Sequence, residues 1–441
     1  MKLGKVEKQS AFYAILKIYT KFFHDYFFYK KVTYIGVENI PKNKPVLIAP
    51  NHQNALMDPL AIIFSQNIQP VFLARSDIFK NHIIAKIMFK FKILPVFRIR
   101  DGKEKLKLND IVYNKTIEVL EHNRQVAIFP EAQHINKKHV RPLKKGIQRI
   151  AFMLEEKHNF KAGVCIIPTG IYYSNYWNFR SKLVIKYGKP IYLNEYFEEY
   201  KKDAARTIVK FTNVLHEKIK KETLHISDLE HHSEYDLLRD INEDQMLKGM
   251  HLKLSSENKL KADKETIKKI DLLKNQKKDV FESLMTKTIK YKEQLKKYNI
   301  KDWVVKTKDK KHNLFLKFFS LFLLIPLFIY GYVNNIIAYY SSSILTKKLE
   351  DRQFTSSIVY VFIILIHPII YVFQAIIIYF LFNSLLLALI YFISTPFFGL
   401  IAFSIHRFFI KTMAIFRLKN FTDIKRNNIS NIRSEIIHLL K

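Results

Sequence analysis

Ala49-Pro50-Asn51-His52-Gln53-Asn54-Ala55-Leu56-Met57-Asp58-Pro59 follows the apolar run Val46-Leu47-Ile48, which is bounded by Pro45 and Pro50 and reads as a buried strand. A histidine just past a strand end, with a carboxylate a few residues on, has the makings of a base and its orienting partner. The imidazole takes a proton from a hydroxyl, and the carboxylate fixes its tautomer and stabilises the charge it acquires. The bland reading is that Asp58 caps a helix ahead of a first-turn proline, with His52 a loop hydrogen-bonder. Asn54 is a second polar group in reach of His52, so the orienting residue is Asp58 or Asn54.

Composition narrows the partners. The chain has 441 residues and a net charge of +34, from 73 Lys and Arg against 39 Asp and Glu. Such an excess calls for nucleic acid, an anionic membrane surface or phosphorylated substrates. The 49% hydrophobic content and 36 Phe argue against a simple nucleic-acid binder. No base-reading motif is visible, so no nucleic-acid partner is expected; that rival class would require strongly salt-dependent binding. The single Cys165 excludes an internal disulfide framework or a cysteine-based zinc site, and no metal site is expected. Met1 to Gln9 is charged and leads into no cleavable apolar core, so no secretory signal is expected.

Residues 1–31 read as an amphipathic membrane-interface helix, with Phe12, Ile15, Leu16, Tyr19, Phe22, Phe23, Tyr26 and Phe27 on one stripe and Lys17, Lys21 and His24 interrupting it. The alternative is a helix packed on the core. Residues 32–195 alternate strand and helix. Strands are expected at 32–37, 46–49, 71–74, 126–129, 164–169 and 183–187, and helices at 78–91, 106–122 and 146–156. That alternation predicts an α/β fold around a mixed, mostly parallel sheet with flanking helices. Sites in such sheets gather at strand ends, where His52, Phe129-Pro130-Glu131 and Pro168-Thr169 all fall.

Three further blocks stand in order: Ile93-Leu94-Pro95-Val96-Phe97-Arg98-Ile99-Arg100, then Val126-Ala127-Ile128-Phe129-Pro130-Glu131-Ala132-Gln133-His134, then Val164-Cys165-Ile166-Ile167-Pro168-Thr169-Gly170. With the first stretch, these resemble the glycerolipid acyltransferase superfamily, which includes glycerol-3-phosphate and 1-acylglycerol-3-phosphate acyltransferases. The family pattern is Asn-His, four residues, then Asp. Here five residues separate His52 from Asp58. The resemblance implies that Phe97 and Arg100 belong to the block that binds the acceptor phosphate, with Arg98 a second candidate. A guanidinium offers phosphate a bidentate fork. Phe129-Pro130-Glu131 matches the family's Phe-Pro-Glu-Gly-Thr-Arg, so Pro130 and Glu131 inherit an acceptor-binding or organising role. Ala132, Gln133 and His134 replace Gly, Thr and Arg. The lost arginine shifts phosphate binding toward other cations: His134 if protonated, or Lys144 and Lys145 at the start of the helix from Gly146, where amide donors help. Pro168 is implied to help form the acyl or acceptor pocket. Gly188-Lys189-Pro190-Ile191 resembles the family's closing turn.

Beyond this region, 196–312 is Lys- and Glu-rich and reads as a charged helical domain, with helices at 204–219 and 267–295. Residues 313–405 read as a membrane domain. Ser357 to Ser404 is long enough for two spans turning at Asn383-Ser384. Leu314 to Val333, interrupted by Lys317, Pro326 and Gly331, reads as re-entrant or as a third span. Basic flanks, including Lys308, Lys310, Lys311, Lys347, Lys348, Arg407 and Lys411, place the catalytic domain on the cytoplasmic face and make 406–441 a basic cytoplasmic tail.

The expected function is a membrane-bound O-acyltransferase of phospholipid synthesis. It would move a fatty acyl group from an acyl thioester to a hydroxyl of glycerol-3-phosphate or 1-acylglycerol-3-phosphate, with His52 as base. The donor rides on coenzyme A or on acyl-carrier protein as a partner; membrane lipids surround the enzyme, and no cofactor is expected. The rival is a catalytically altered lipid-binding or scaffold membrane protein that keeps the fold, favoured by the Ala132-Gln133-His134 run and opposed by His52.

Overall fold

The computed structural model describes all residues except 1, 2, 134, 136, 308–312 and 350, and only the backbone at 99. The chain forms two compact units, Met1–His225 with Leu349–Tyr360, and Ile226–Lys348 with Val361–Lys441.

The first unit is built on an eight-stranded sheet. Its strands are β1 Lys31–Ile35, β2 Val46–Pro50, β3 Val71–Arg75, β4 Ile93–Val96, β5 Gln125–Ala127, β6 Cys165–Tyr173, β7 Lys182–Tyr187 and β8 Ile191–Tyr192. The order is β1-β7-β6-β2-β5-β3-β4, with β8 added to β6. The β6–β7 and β6–β8 pairings are antiparallel and the others parallel. This is the mixed, mostly parallel sheet that the alternation predicts. Val46, Leu47, Ile48 and Ala49 are all fully buried, because helices cover both faces of a central parallel strand and leave no polar alternation. Pro168 cannot donate to a ladder. It sits where β6 changes partner, between the residues paired with β8 and those paired with β7.

Two strands escaped the sequence reading. Residues 93–96 and 191–192 are too short, and too close to proline, to show alternation. The helix expected at 78–91 is a 3-10 turn, Ser76–Phe79, followed by His82–Lys90, with Asn81 capping its first amides. That expected at 106–122 is divided at Lys107.

The boundary expected at 196 moves. Helix Ala204–Glu222 buries Ile208, Phe211, Leu215 and Ile219 in the same core as Leu47, Val126 and Ile166, so it belongs to the sheet unit rather than to a separate helical domain. The N-terminal segment joins this unit too. Leu3 and Val6 enter the core, while Phe12, Ile15, Ile18 and Phe22 on helix Ala11–Phe22 stay exposed.

In the second unit, helices His232–Gly249, Ser256–Gln276 and Lys278–Lys297 pack together, and helix Asp423–Leu439 lies on the last of them. The single helix expected over 267–295 is broken at Lys277, φ −139°, with Ile270 and Leu284 buried on either side of the break. The expected basic tail is likewise ordered helix, because Ile429, Ile432 and Ile436 are buried there. Arg417 and Arg433 make hydrogen bonds within this unit.

Arg352–Phe382 and Leu385–Lys419 are long and apolar enough to cross a membrane, and Asn383 turns between them with a left-handed φ of 47°. Leu314–Leu323 and Ile325–Lys347 are bent by 53° at a short break, the geometry of a re-entrant loop or a broken span. The basic residues expected to flank them, Lys308, Lys310 and Lys311, lie outside the described residues. Gly331 lies so close to the Phe398 carbonyl that a β-carbon would come within 2.2 Å, the small-residue contact that lets apolar helices approach. Asn334 and Asn335 accept hydrogen bonds from Tyr391 and Tyr371, and Gln374 donates to the Asn334 carbonyl. Helix packing thus partners the Gln374 amide nitrogen.

Candidate active site

Because β2, β5, β3 and β4 run parallel, their carboxyl ends meet at one edge of the sheet, where α/β folds gather ligand groups. Asn51 extends β2 by one rung. Its side chain accepts from the Ile171 amide at 2.6 Å and donates to the Ile171 carbonyl at 3.1 Å. His52 therefore leaves the sheet from a fixed point.

His52 Nδ1 lies 2.8 Å from Asp58 Oδ2. Asp58 is fully buried, whereas the imidazole keeps 18% exposure. The same Oδ2 accepts the amides of Gln53 at 2.6 Å and Asn54 at 2.7 Å, and Oδ1 accepts the Tyr173 hydroxyl at 2.6 Å. Surrounded by donors, Asp58 acts as the acceptor. His52 Nδ1 thus carries the proton and Nε2 becomes the basic nitrogen. Asp58 stands in the first turn of helix Met57–Phe64, where a negative charge is favourable. The ring of His52 stacks on Phe129, centroids 4.4 Å apart, and Phe129 stacks in turn on Phe72.

Asn54, the other candidate orienter, is fully buried, and its amide nitrogen donates to the Tyr176 carbonyl at 3.3 Å. Its side chain thus holds the loop to the β6–β7 connection. A side chain closed off from solvent in this way offers no surface to an acceptor substrate.

Glu131 is 2% exposed, and its carboxylate clamps two backbones. Oε1 accepts the His52 amide at 2.8 Å and Oε2 the Arg141 amide at 2.8 Å. Burial pushes its pKa up to about 8, against the opposing pull of those two amides. Glu131 therefore organises the site from behind rather than presenting itself to a ligand. Ala132 follows with φ +58°, a left-handed conformation that glycine adopts without cost and that costs an L-residue about 1–2 kcal/mol. This is the position of the glycine in the family pattern.

A carboxyl whose folded pKa exceeds its unfolded value costs nothing below about 4.5 and increasingly destabilises the fold as pH climbs toward 8. Glu131→Gln loses an acceptor but never has to carry the buried charge. Its melting temperature is expected to lie furthest below wild type near pH 5, with the gap narrowing at pH 9. Parallel thermal shifts in detergent at the two pH values check this, and a gap that widens with pH contradicts it.

The second block closes the opposite end of the edge. Phe97 is half-buried against the core, its backbone held by the Asn109 side chain at 2.9 and 2.8 Å. Arg98, the second candidate phosphate ligand, is paired with Asp77 at 3.1 Å and with Asp101 at 3.3 Å. Arg100 is exposed and makes no side-chain hydrogen bond or ion pair among the described residues. Lys144 and Lys145 are also exposed, and the Lys144 amide donates to the carbonyl of buried Pro130 at 2.7 Å. His134 lies outside the described residues. Pro168 lines a cavity of about 1070 Å³ with Tyr187, Gly188 and Glu222; neither His52 nor Asp58 lines it. On its other side Pro168 pairs with Ala49 at the end of β2.

Residues 31–172 match the sequence profile described as Acyltransferase. This chain carries an acyltransferase-family domain. This chain is 26% identical over 187 residues to the 1-acyl-sn-glycerol-3-phosphate acyltransferase of Borreliella burgdorferi, covering 41% of this chain and 69% of that protein. It is 36% identical over 80 residues to glycerol-3-phosphate O-acyltransferase 1 of Saccharomyces cerevisiae, covering 18% of this chain and only 10% of that one. The crystal structure of a 1-acyl-sn-glycerophosphate acyltransferase from Thermotoga maritima aligns with a TM-score of 0.34 at 20% identity, over 47% of this chain and 78% of that one.

Sequence reasoning missed Tyr173, Phe129 as a stacking platform, Gln53 and Tyr176. The Tyr176 hydroxyl donates to Gln53. No local signal marks Tyr173, since it lies 115 residues from Asp58 and becomes its neighbour only through the register of β6 on β2.

Proposed function

We propose that the acyltransferase domain moves a fatty acyl group from an acyl thioester to a hydroxyl of glycerol-3-phosphate or 1-acylglycerol-3-phosphate. One observation carries it: the hydrogen bond from His52 Nδ1 to buried Asp58, with the ring at the carboxyl edge of a parallel sheet in an acyltransferase-family domain. The thioester carbonyl is already activated, so one base acting on the acceptor suffices and no covalent enzyme intermediate is needed. His52 Nε2 takes the hydroxyl proton as the oxygen attacks the carbonyl. Asp58 stabilises the resulting imidazolium, and the thiolate leaves with a proton returned by the ring. No metal or further cofactor enters these steps. The donor is coenzyme A- or carrier-protein-linked, and the catalytic face is cytoplasmic. The named activities of the Borreliella and Saccharomyces relatives support this choice of acceptors.

Arg100 is the residue proposed to hold the acceptor phosphate, with Lys144 and Lys145 contributing. Three strand spacings, about 14 Å, separate β2 from β4. An extended arginine, an imidazole and a three-carbon phosphate between them can span that gap. Arg100→Ala is expected to raise KM for the acceptor about tenfold or more, as befits a lost charged hydrogen bond. KM for the thioester should be unchanged and kcat little altered. Initial rates with each substrate varied in turn test this; an unchanged acceptor KM assigns the phosphate elsewhere.

A further inference from the structure

The five residues between His52 and Asp58 form a loop under tension. Ala55 sits at φ +34°, a conformation an L-residue holds only where its surroundings fix it. On one side of it, the Asn54 amide is bound by Asp58. On the other, the Leu56 amide stands at the N-cap of helix Met57–Phe64, and Leu56 has no side-chain oxygen with which to cap. Its partner comes from 301 residues away: the Leu56 amide donates to Ser357 Oγ at 3.1 Å. The neighbouring Ser356 hydroxyl donates to the Tyr176 carbonyl, the same oxygen that receives the Asn54 side chain.

These serines belong to Leu349–Tyr360, a segment that folds with the sheet unit although it lies beyond residue 225 and leads directly into the apolar run from Val361. Ser356 is 2% exposed, Ser357 6% and Tyr360 1%. The Tyr360 hydroxyl donates to the Thr20 carbonyl at 2.6 Å, and its ring meets Phe28 and His24 edge-on. The segment is thus anchored independently of the loop it touches.

We propose that Leu349–Tyr360 is a strap that positions the catalytic histidine, with Ser357 as the positioning residue: its hydroxyl holds Leu56, fixes strained Ala55 from the far side, and so keeps His52 and Asp58 in register across a loop of five residues. Ser357 touches no reacting atom. It acts through the loop.

The kinetic consequence rests on the acyl-transfer reading, whereas the structural consequence does not. Hydrogen–deuterium exchange on the full-length protein in detergent, with fragmentation to resolve Leu56, reads the strap directly. Ser357→Ala is expected to speed exchange at Leu56 about tenfold, the loss of one hydrogen bond, while Ser357→Thr, which keeps the hydroxyl, restores it. Turnover by Ser357→Ala should fall about tenfold in kcat, with acceptor KM within twofold and the melting temperature lowered by no more than a few degrees. Tyr360→Phe, which frees the strap from Thr20 without touching the loop, should raise exchange at Leu56 by a smaller factor. It also serves as the test if Ser357→Ala does not fold. Unchanged exchange at Leu56 in the variant that folds overturns the strap, whatever the turnover. Faster exchange in a protein that shows no acyl transfer at all upholds the strap and sinks the functional reading instead.

Discussion

His52→Ala is expected to lower acyl transfer about 10²- to 10⁴-fold, the range over which a positioned general base acts. The alcohol of a glycerol phosphate is a weak nucleophile near neutral pH. Without the imidazole its proton must leave to water while the carbonyl is attacked. The loss should fall on kcat, with acceptor KM nearly constant, because the proposed phosphate ligand Arg100 lies beyond β4, three strands from β2. Stability should change little. The ring keeps partial exposure, and its main packing partner is the face of Phe129. Purified wild type and variant, assayed side by side with labelled acyl thioester, provide the measurement. Equal turnover refutes the assigned base.

Asp58 separates orientation from architecture. Four donors converge on its two oxygens: the Nδ1 of His52, the amides of Gln53 and Asn54, and the Tyr173 hydroxyl. In Asp58→Asn the amide oxygen can face the three nitrogen donors and the new NH₂ can face Tyr173, whose hydroxyl can turn to accept. The fold then survives near wild-type stability, but the charge that stabilises the imidazolium is gone. Activity is expected to fall about 10²-fold or more, by the logic of other base–carboxylate pairs. Asp58→Ala leaves all four donors without a buried acceptor, at about 1–3 kcal/mol for each that finds no water. It should lose both activity and several degrees of melting temperature. Asn54→Ala removes only the bond to Tyr176, so its effect on turnover should be much the smaller. If Asn54→Ala matched Asp58→Asn in lost kcat, Asn54 would be the orienter after all.

The four blocks were legible because each is a local pattern. Val46–Ile48 and Cys165–Ile167 are apolar on both faces, which few settings other than a covered parallel strand tolerate. Phe129-Pro130-Glu131 follows such a strand directly. Even the unusual Ala132 has a local rationale, since its φ of +58° is the conformation for which the family pattern supplies glycine. Arg98 and Arg100 show the limit. Two residues apart, they read alike; Asp77, brought alongside by the β3–β4 pairing, and Asp101, three residues on, engage Arg98.

Hydrophobic period and turn chemistry, each readable within one short window, already mark the kind of fold, the position of the histidine past its strand, and the apolar helices with their turn at Asn383. The folded chain alone reveals which partner His52 takes, that Tyr173 braces Asp58, that helix Ala204–Glu222 completes the sheet's core, and that Ser357 reaches Leu56. Each of these is a contact between distant segments. It exists only once strand order and register are set, and no local pattern of residues encodes where two such segments meet.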